Sequence, residues 1–369
     1  MKTIRLSLTI LIALLTFVSH SRPARAAEPP SPIFPQALAP GDTILFIAPA
    51  GSLDKERNKL AKERLEKLGY KVRFPTNLFR KHGYLAGTDE ERTAEIMAGF
   101  RDPEVDAIFP GTGGYGTTRI VDDLDYDVIR KNPKVLIGFS DITGLHLAIN
   151  QQTGLVTFHS PNPEYSFGNP DGFNPYAARW FWRALAADKY GDQLGYKIVP
   201  KAEKGDAAWN PKIFADFPKT QTLAPGTARG RITGGNLSVL HALMGSPYEI
   251  ETDGKILFLE DVGEAPYRID RMLSTLKLAS KFDKARGVIL GAFTRRKDED
   301  PWDDDWSMQD VLRDYFANLG VPVLANFPVG HVPFNTTLPI GAEAELDATA
   351  GTVTILENPV QLPTRDNRH

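Results

Sequence analysis

The sequence contains no cysteine. Disulfide bridges, cysteine nucleophiles and zinc–thiolate sites are thereby excluded. An excess of positive charge is missing too. The 43 Lys and Arg stand against 46 Asp and Glu, a formal net charge of −3, and the basic residues are spread out. That is no footprint for nucleic acid. Long apolar runs are scarce. Leu6 to Val18 is mostly apolar, but it is interrupted by Ser7 and Thr9 and is too short to span a bilayer as a helix. The mature chain is therefore expected to hold no integral membrane segment. There is no H-E-x-x-H and no cluster with metal-ligand spacing, so neither metal nor cofactor is expected. No internal repeat or low-complexity tract is visible.

What is present fits a globular, exported protein. Apolar residues make up 42% of the 369 and charged residues 24%, and the length suffices for two domains. A core of that size can hold without disulfides. Lys2 and Arg5, the apolar stretch and Ala24-Arg25-Ala26 together read as a secretory signal peptide over residues 1–26. Export to the periplasm or beyond is the expectation. Residues 27–40 are rich in proline and read as a tether.

From Thr43 onward, strand and helix patterns alternate. Strands are predicted at Thr43–Ala48, Lys71–Phe74, Val105–Phe109, Val135–Ile137 and Leu155–Phe158. Helices fall between them, one opening with Thr88 as N-cap. Alternation implies a doubly wound parallel sheet, whose ligands bind at the carboxyl ends of the strands. This N-terminal nucleophile domain is taken as 41–165. Residues 166–227 are dense in Pro, Gly, Asn and Asp and read as an interdomain connection, with a Trp180-Phe181-Trp182 cluster read as core. A C-terminal domain follows over 228–360. There Gly230 to Asn236 leads into a helix, and a strand over Lys255–Leu259 ends at Glu260-Asp261.

The sequence centres on Lys134 to Thr143, where a short apolar strand runs through Gly138-Phe139 into Ser140 and straight on into a helical pattern. Such a corner lifts a hydroxyl out of the sheet, and the next backbone N–H points where an oxyanion would form. The plainer reading is a helix cap. The loop Gly111-Thr112-Gly113-Gly114-Tyr115-Gly116 fits neither a dinucleotide nor a Walker pattern, and is read as a second oxyanion donor or a tight turn. Of seven histidines, His331 lies in a loop after a strand, among residues that fix the backbone. His82 and His159 stay as second candidates for the base; His146 and His241 sit on helices. Glu260, with Asp261 and Glu264 nearby, is the candidate acid. The order Ser140, Glu260, His331 is one used by serine hydrolases.

Five motifs then carry a resemblance. They are Gly83-Tyr84-Leu85-Ala86-Gly87-Thr88-Asp89, Gly113-Gly114-Tyr115-Gly116, Gly138-Phe139-Ser140-Asp141, Gly234-Gly235-Asn236-Leu237, and the run from Leu259 to Arg271. In this order, from about Ala39 to Leu356, the chain resembles the serine-type LD-carboxypeptidase family, of the muramoyltetrapeptide carboxypeptidase kind. The resemblance implies an α/β fold. It pairs an N-terminal doubly wound parallel sheet like that of class I glutamine amidotransferases with a C-terminal swivelling β/α domain. It implies Ser140 as nucleophile, Glu260 as acid and His331 as base, with backbone N–H groups of Asp141 and Gly113 as oxyanion hole. The expected substrate is a peptidoglycan-derived peptide losing its terminal D-alanine. Thr112 and Ser160 depart from the Arg and Gly common in the family. Two other readings are kept: a hydrolase of an aminoacyl-nucleotide, as in microcin-immunity members, and a non-catalytic periplasmic peptide-binding protein. A homodimer stays open.

Overall fold

A computed structural model describes residues 30–190, 193–294 and 306–362. The expected signal peptide lies outside the described residues. The first sheet is built from β1 (Thr43–Ile47), β2 (Lys71–Arg73), β3 (Ala107–Pro110), β4 (Val135–Gly138) and β5 (Thr157–His159), all parallel. β1, β3 and β4 are buried along their whole length, as parallel strands covered on both faces must be. Helices Lys55–Lys67, Asp89–Arg101, Tyr126–Lys131 and Thr143–Thr153 connect them. Thr88 caps its helix as expected. Its hydroxyl accepts from the Glu91 N–H, while the Glu91 carboxylate accepts from the Thr88 N–H.

The second sheet draws on β6 (Tyr196–Ile198), β7 (Gln221–Ala224), β8 (Thr227–Asn236), β9 (Ile256–Val262), β10 (Gly287–Thr294) and β11 (Val323–Ala325). After β11 the chain leaves it, forms β12 (Leu338–Ile340), and returns with β13 (Glu343–Asp347) and β14 (Thr352–Ile355). The order is β6-β14-β13-β8-β9-β10-β11-β7, with β8 to β11 parallel and the outer strands antiparallel.

β12 is the departure that matters for function. It pairs antiparallel with β5, Leu338 opposite His159, and so completes the first sheet in the order β12-β5-β4-β3-β1-β2. The expectation of a parallel sheet holds for β1 to β5, but the sheet is mixed. Residues 326–337 therefore cross from one sheet to the other.

Three further expectations change. Gly230 to Asn236 does lead into a helix, Leu237–Ala242, but it is itself strand, the last seven residues of the ten-residue β8; its glycines hide the strand pattern. β9 does not end before Glu260 but runs on through Val262, which buries Glu260 inside the strand. The stretch read as a tether is bound where it is described: the Ile33 and Leu38 N–H groups donate to the Gly154 and Leu185 carbonyls. The 166–227 stretch supplies the helix Pro175–Leu185 and both edge strands of the second sheet.

Two apolar cores lie on opposite faces, and each takes residues from both sheets. Ile44 and Phe46 of β1 join Ile256 and Phe258 of β9 in one; Leu45, Ile47, Leu257 and Leu259 belong to the other. This alternation is the period of a strand. Phe181 is fully buried against Phe109, Phe167 and Phe173, so the Trp-Phe-Trp cluster is core. Among the described residues no helix is long and apolar enough to cross a membrane.

Candidate active site

Ser140 follows β4 after one residue and opens a short turn that leads into the helix Thr143–Thr153. Its φ is 63°, in the left-handed region that a residue with a Cβ occupies only under strain. The corner is held from several sides. The Asn162 carboxamide oxygen accepts from the Phe139 N–H at 3.3 Å, and the Gly138 carbonyl accepts from the Ser160 N–H at 2.9 Å. His146 contacts the same Gly138 carbonyl through Nε2 at 2.9 Å.

The Gly-rich loop lies against this corner. A Cβ on Gly113 would stand 2.9 Å from the Ser140 Cβ and 3.2 Å from its Oγ, so the close approach needs glycine. The Gly113 carbonyl accepts from the Gly51 N–H at 3.0 Å. Among the described residues, neither the Gly113 N–H nor the Asp141 N–H donates within the protein. The Asp141 carboxylate is turned away and buried. It accepts from the Thr117 N–H at 2.8 Å, and burial raises its pKa. Asp141 thus offers its backbone, and its side chain braces the turn.

Glu260 and His331 come together although 71 residues separate them in sequence. The Glu260 Oε2 lies 2.7 Å from His331 Nδ1. Glu260 is wholly buried, and its second oxygen accepts from the Asn236 carboxamide at 3.2 Å. Asn236 stands opposite Glu260 in the β8–β9 register. Its own N–H donates to the Thr143 Oγ1 at 2.9 Å, which links the acid to the helix that follows Ser140. The His331 loop is tied down on both sides. The Ala292 N–H of β10 donates to the Val329 carbonyl, the Gly330 N–H to the Asn335 carboxamide, and the Thr336 N–H to the Pro328 carbonyl. Ser140 and His331 both line one cavity of about 290 Å³, together with Gly113 and Phe139. The His331 ring lies 4.8 Å from that of Phe139.

The other candidates fall elsewhere. His159 is fully buried between Phe258 and Phe139, and burial holds its ring well below the ordinary histidine value. Burial likewise pushes His146 down to about 4. Both rings are neutral near pH 7. His241 meets the Thr275 hydroxyl on a helix face, and His82 is exposed. Asp261 turns to Ser238, accepting from its N–H and hydroxyl at 2.8 Å each, while Glu264 meets Arg268 at the surface. Among the described residues no three His, Asp or Glu side chains gather as a metal site.

Three asparagines at the site, Asn162, Asn236 and Asn335, were not singled out from the sequence. Asn236 stands in a quoted motif and could have been suspected; nothing local marks the other two. The two departures from the family pattern also find their places. The Ser160 hydroxyl, buried, pairs with Thr337 at 2.8 Å and so ties β5 to the crossing segment. Thr112 lines the cavity and hydrogen-bonds the buried Glu164, whose carboxylate also accepts from Asp54 and Asn58.

Models of the LD-carboxypeptidase N-terminal and C-terminal domains match residues 44–160 and 229–346. A probable murein peptide carboxypeptidase of Bacillus subtilis (strain 168) is 39% identical over 327 residues, 87% of this chain and 93% of that protein. A solved muramoyltetrapeptide carboxypeptidase from Oxalobacter formigenes superimposes with a TM-score of 0.70 at 28% identity, over 87% of this chain and 100% of that one. The structure of MccF in complex with glutamyl sulfamoyl guanosine gives 0.77 at 27% identity, over 89% and 100%.

Proposed function

The chain belongs to the LD-carboxypeptidase family and is a serine-type carboxypeptidase, and from that premise we propose that it removes the terminal D-alanine from peptidoglycan stem tetrapeptides through Ser140, His331 and Glu260. The observation that carries this reading is the 2.7 Å contact between Glu260 and His331 at a cavity that His331 shares with Ser140. Glu260 holds Nδ1, which fixes the tautomer and leaves Nε2 to act as base. In this reading Ser140 Oγ attacks the carbonyl of the penultimate residue while His331 Nε2 takes its proton. The N–H groups of Asp141 and Gly113 receive the oxyanion. The tetrahedral species collapses as His331 gives the proton to the leaving amine, and D-alanine departs. Water, activated by the same imidazole, then hydrolyses the acyl-enzyme and frees Ser140. The buried carboxylate stabilises the imidazolium at each stage.

The names of the relatives support a murein peptide as substrate. The likeness to MccF keeps a second reading, hydrolysis of an aminoacyl-nucleotide analogue. The export expected from residues 1–26 argues for the first, because peptidoglycan lies outside the cytoplasm. Incubation with purified muropeptides followed by mass spectrometry tests the proposal. Loss of one alanine from tetrapeptides supports it. Intact tetrapeptides, alongside cleaved glutamyl sulfamoyl guanosine, would transfer the site to the second reading. Failure of a serine-directed probe to label Ser140, with tetrapeptides still cleaved, would move the nucleophile's role to another residue.

A further inference from the structure

Asn162 and Asn335 make parallel arrangements on the two sides of the site. Each carboxamide oxygen is already used. That of Asn162 accepts from the Phe139 N–H, just before Ser140, and that of Asn335 accepts from the Gly330 N–H, just before His331. These bonds fix which end of each amide is nitrogen. Both residues are buried, with 0% and 2% of their surface exposed, and both line the cavity. Their NH₂ groups have no partner among the described residues. Two buried amide donors without a partner, beside one cavity, are costly unless something there accepts from them.

A carboxypeptidase must tell a free carboxylate from the amide of a continuing chain. Cations often do this, but among the described residues none of those lining this cavity is Lys or Arg. A carboxylate inside a largely apolar pocket needs several aimed donors in place of bulk water. We propose that the buried, unpartnered NH₂ groups of Asn162 and Asn335, on residues that line the cavity, receive the terminal carboxylate of the residue to be released. They are then specificity-determining residues of this serine carboxypeptidase. The same amides hold the backbone before the nucleophile and before the base, so a bound carboxylate is registered against both. The inference rests on the carboxypeptidase reading of the site and adds which groups read the chain end.

The test compares a stem tetrapeptide ending in free D-alanine with the same peptide ending in D-alanine amide. The ratio of kcat/KM between acid and amide is the readout. Asn162→Asp and Asn335→Asp keep an oxygen for the backbone N–H but replace the donor with a charge that repels a carboxylate. The wild type is expected to favour the acid, and each Asp variant to lower the ratio by about 10- to 100-fold, the range for a hydrogen bond to a charged group. Asn162→Ala and Asn335→Ala, which also lose the backbone anchor, should lower the ratio as well as overall turnover. Variants that lose activity on both peptides equally, with the ratio unmoved, overturn the proposal and leave the asparagines as supports of the loops. A wild type that cleaves both peptides alike overturns it too, while the serine hydrolase reading stands. A wild type that cleaves neither overturns both.

Discussion

The two sides of the active site are built in different ways. The Ser140 side is local. Strand, corner and helix are one run from Val135 to Thr153, and the strained φ of Ser140 sits between two elements that would form beside each other in any case. The Glu260–His331 side is assembled from afar. Glu260 is fixed in the middle of β9, and His331 hangs on the segment that leaves β11 in one sheet and enters β12 in the other. The nucleophile therefore depends on a turn. The base and acid depend on two sheets being in register. Damage to the first side should act on chemistry alone, whereas damage to the second should also act through the crossing.

The largest effect tests whether the two sides act as one machine. Ser140→Ala and His331→Ala should each lower kcat by about 10⁴- to 10⁶-fold, and the double variant should be little worse than either. Multiplying losses would mean that the two sides work separately. Next comes Glu260→Gln, which keeps the shape but not the charge. It should cost about 10³- to 10⁴-fold in kcat, while Glu264→Gln stays within a few fold, both read by steady-state kinetics. The reverse ranking would reassign the acid.

Gly330→Ala should cost about 10²-fold in activity, the scale of a small misplacement of catalytic groups. The reason is that Gly330 has φ 107° and a Cβ there would lie 2.6 Å from the Glu260 Oε2. Labelling of Ser140 by a small serine-directed probe should fall in parallel; full labelling would show that the crossing loop can give way. Asp261 offers a pH test of the same region. Burial pushes its carboxyl up to about 6. In the unfolded chain it titrates near pH 4, so the folded state holds the proton more tightly and stability declines as pH rises from about 4 to about 6. That interval corresponds to about 2–3 kcal/mol. Chemical denaturation of Asp261→Asn across this range should show a flatter profile than wild type; an identical slope would place the titration elsewhere. Smallest of all, Ser160→Ala should lose about 1 kcal/mol of stability, since Thr337 keeps a buried hydroxyl without its partner. Its kcat should hold to within a few fold; a large loss would show that the β5–β12 seam governs the base.

Legibility followed the same division. Strands β1 to β4 were readable because a buried parallel strand is a short apolar run between turn residues, and Val135 to Gly138 is such a run. The ten-residue β8 was not, since Gly230, Gly234 and Gly235 carry no side chain to show a pattern. β12 was not either. Leu338-Pro339-Ile340 is too short to carry a period, and its partner β5 lies about 180 residues earlier in the sequence. Asn162 and Asn335 read as ordinary loop residues until their two backbone partners are seen.

By itself the sequence determined the nucleophile's corner, the alternation that makes an α/β protein, and the motifs of the family. Each of these is written in neighbouring residues, through apolar periodicity, glycine placement and the geometry of one turn. Only the tertiary structure decided that Glu260, not Asp261 or Glu264, reaches His331, and that the segment carrying the base is stitched into the nucleophile's own sheet. Those choices turn on register between strands far apart in the chain. A shift of one residue would face Glu260 away from His331, and no local pattern records which register packs both cores.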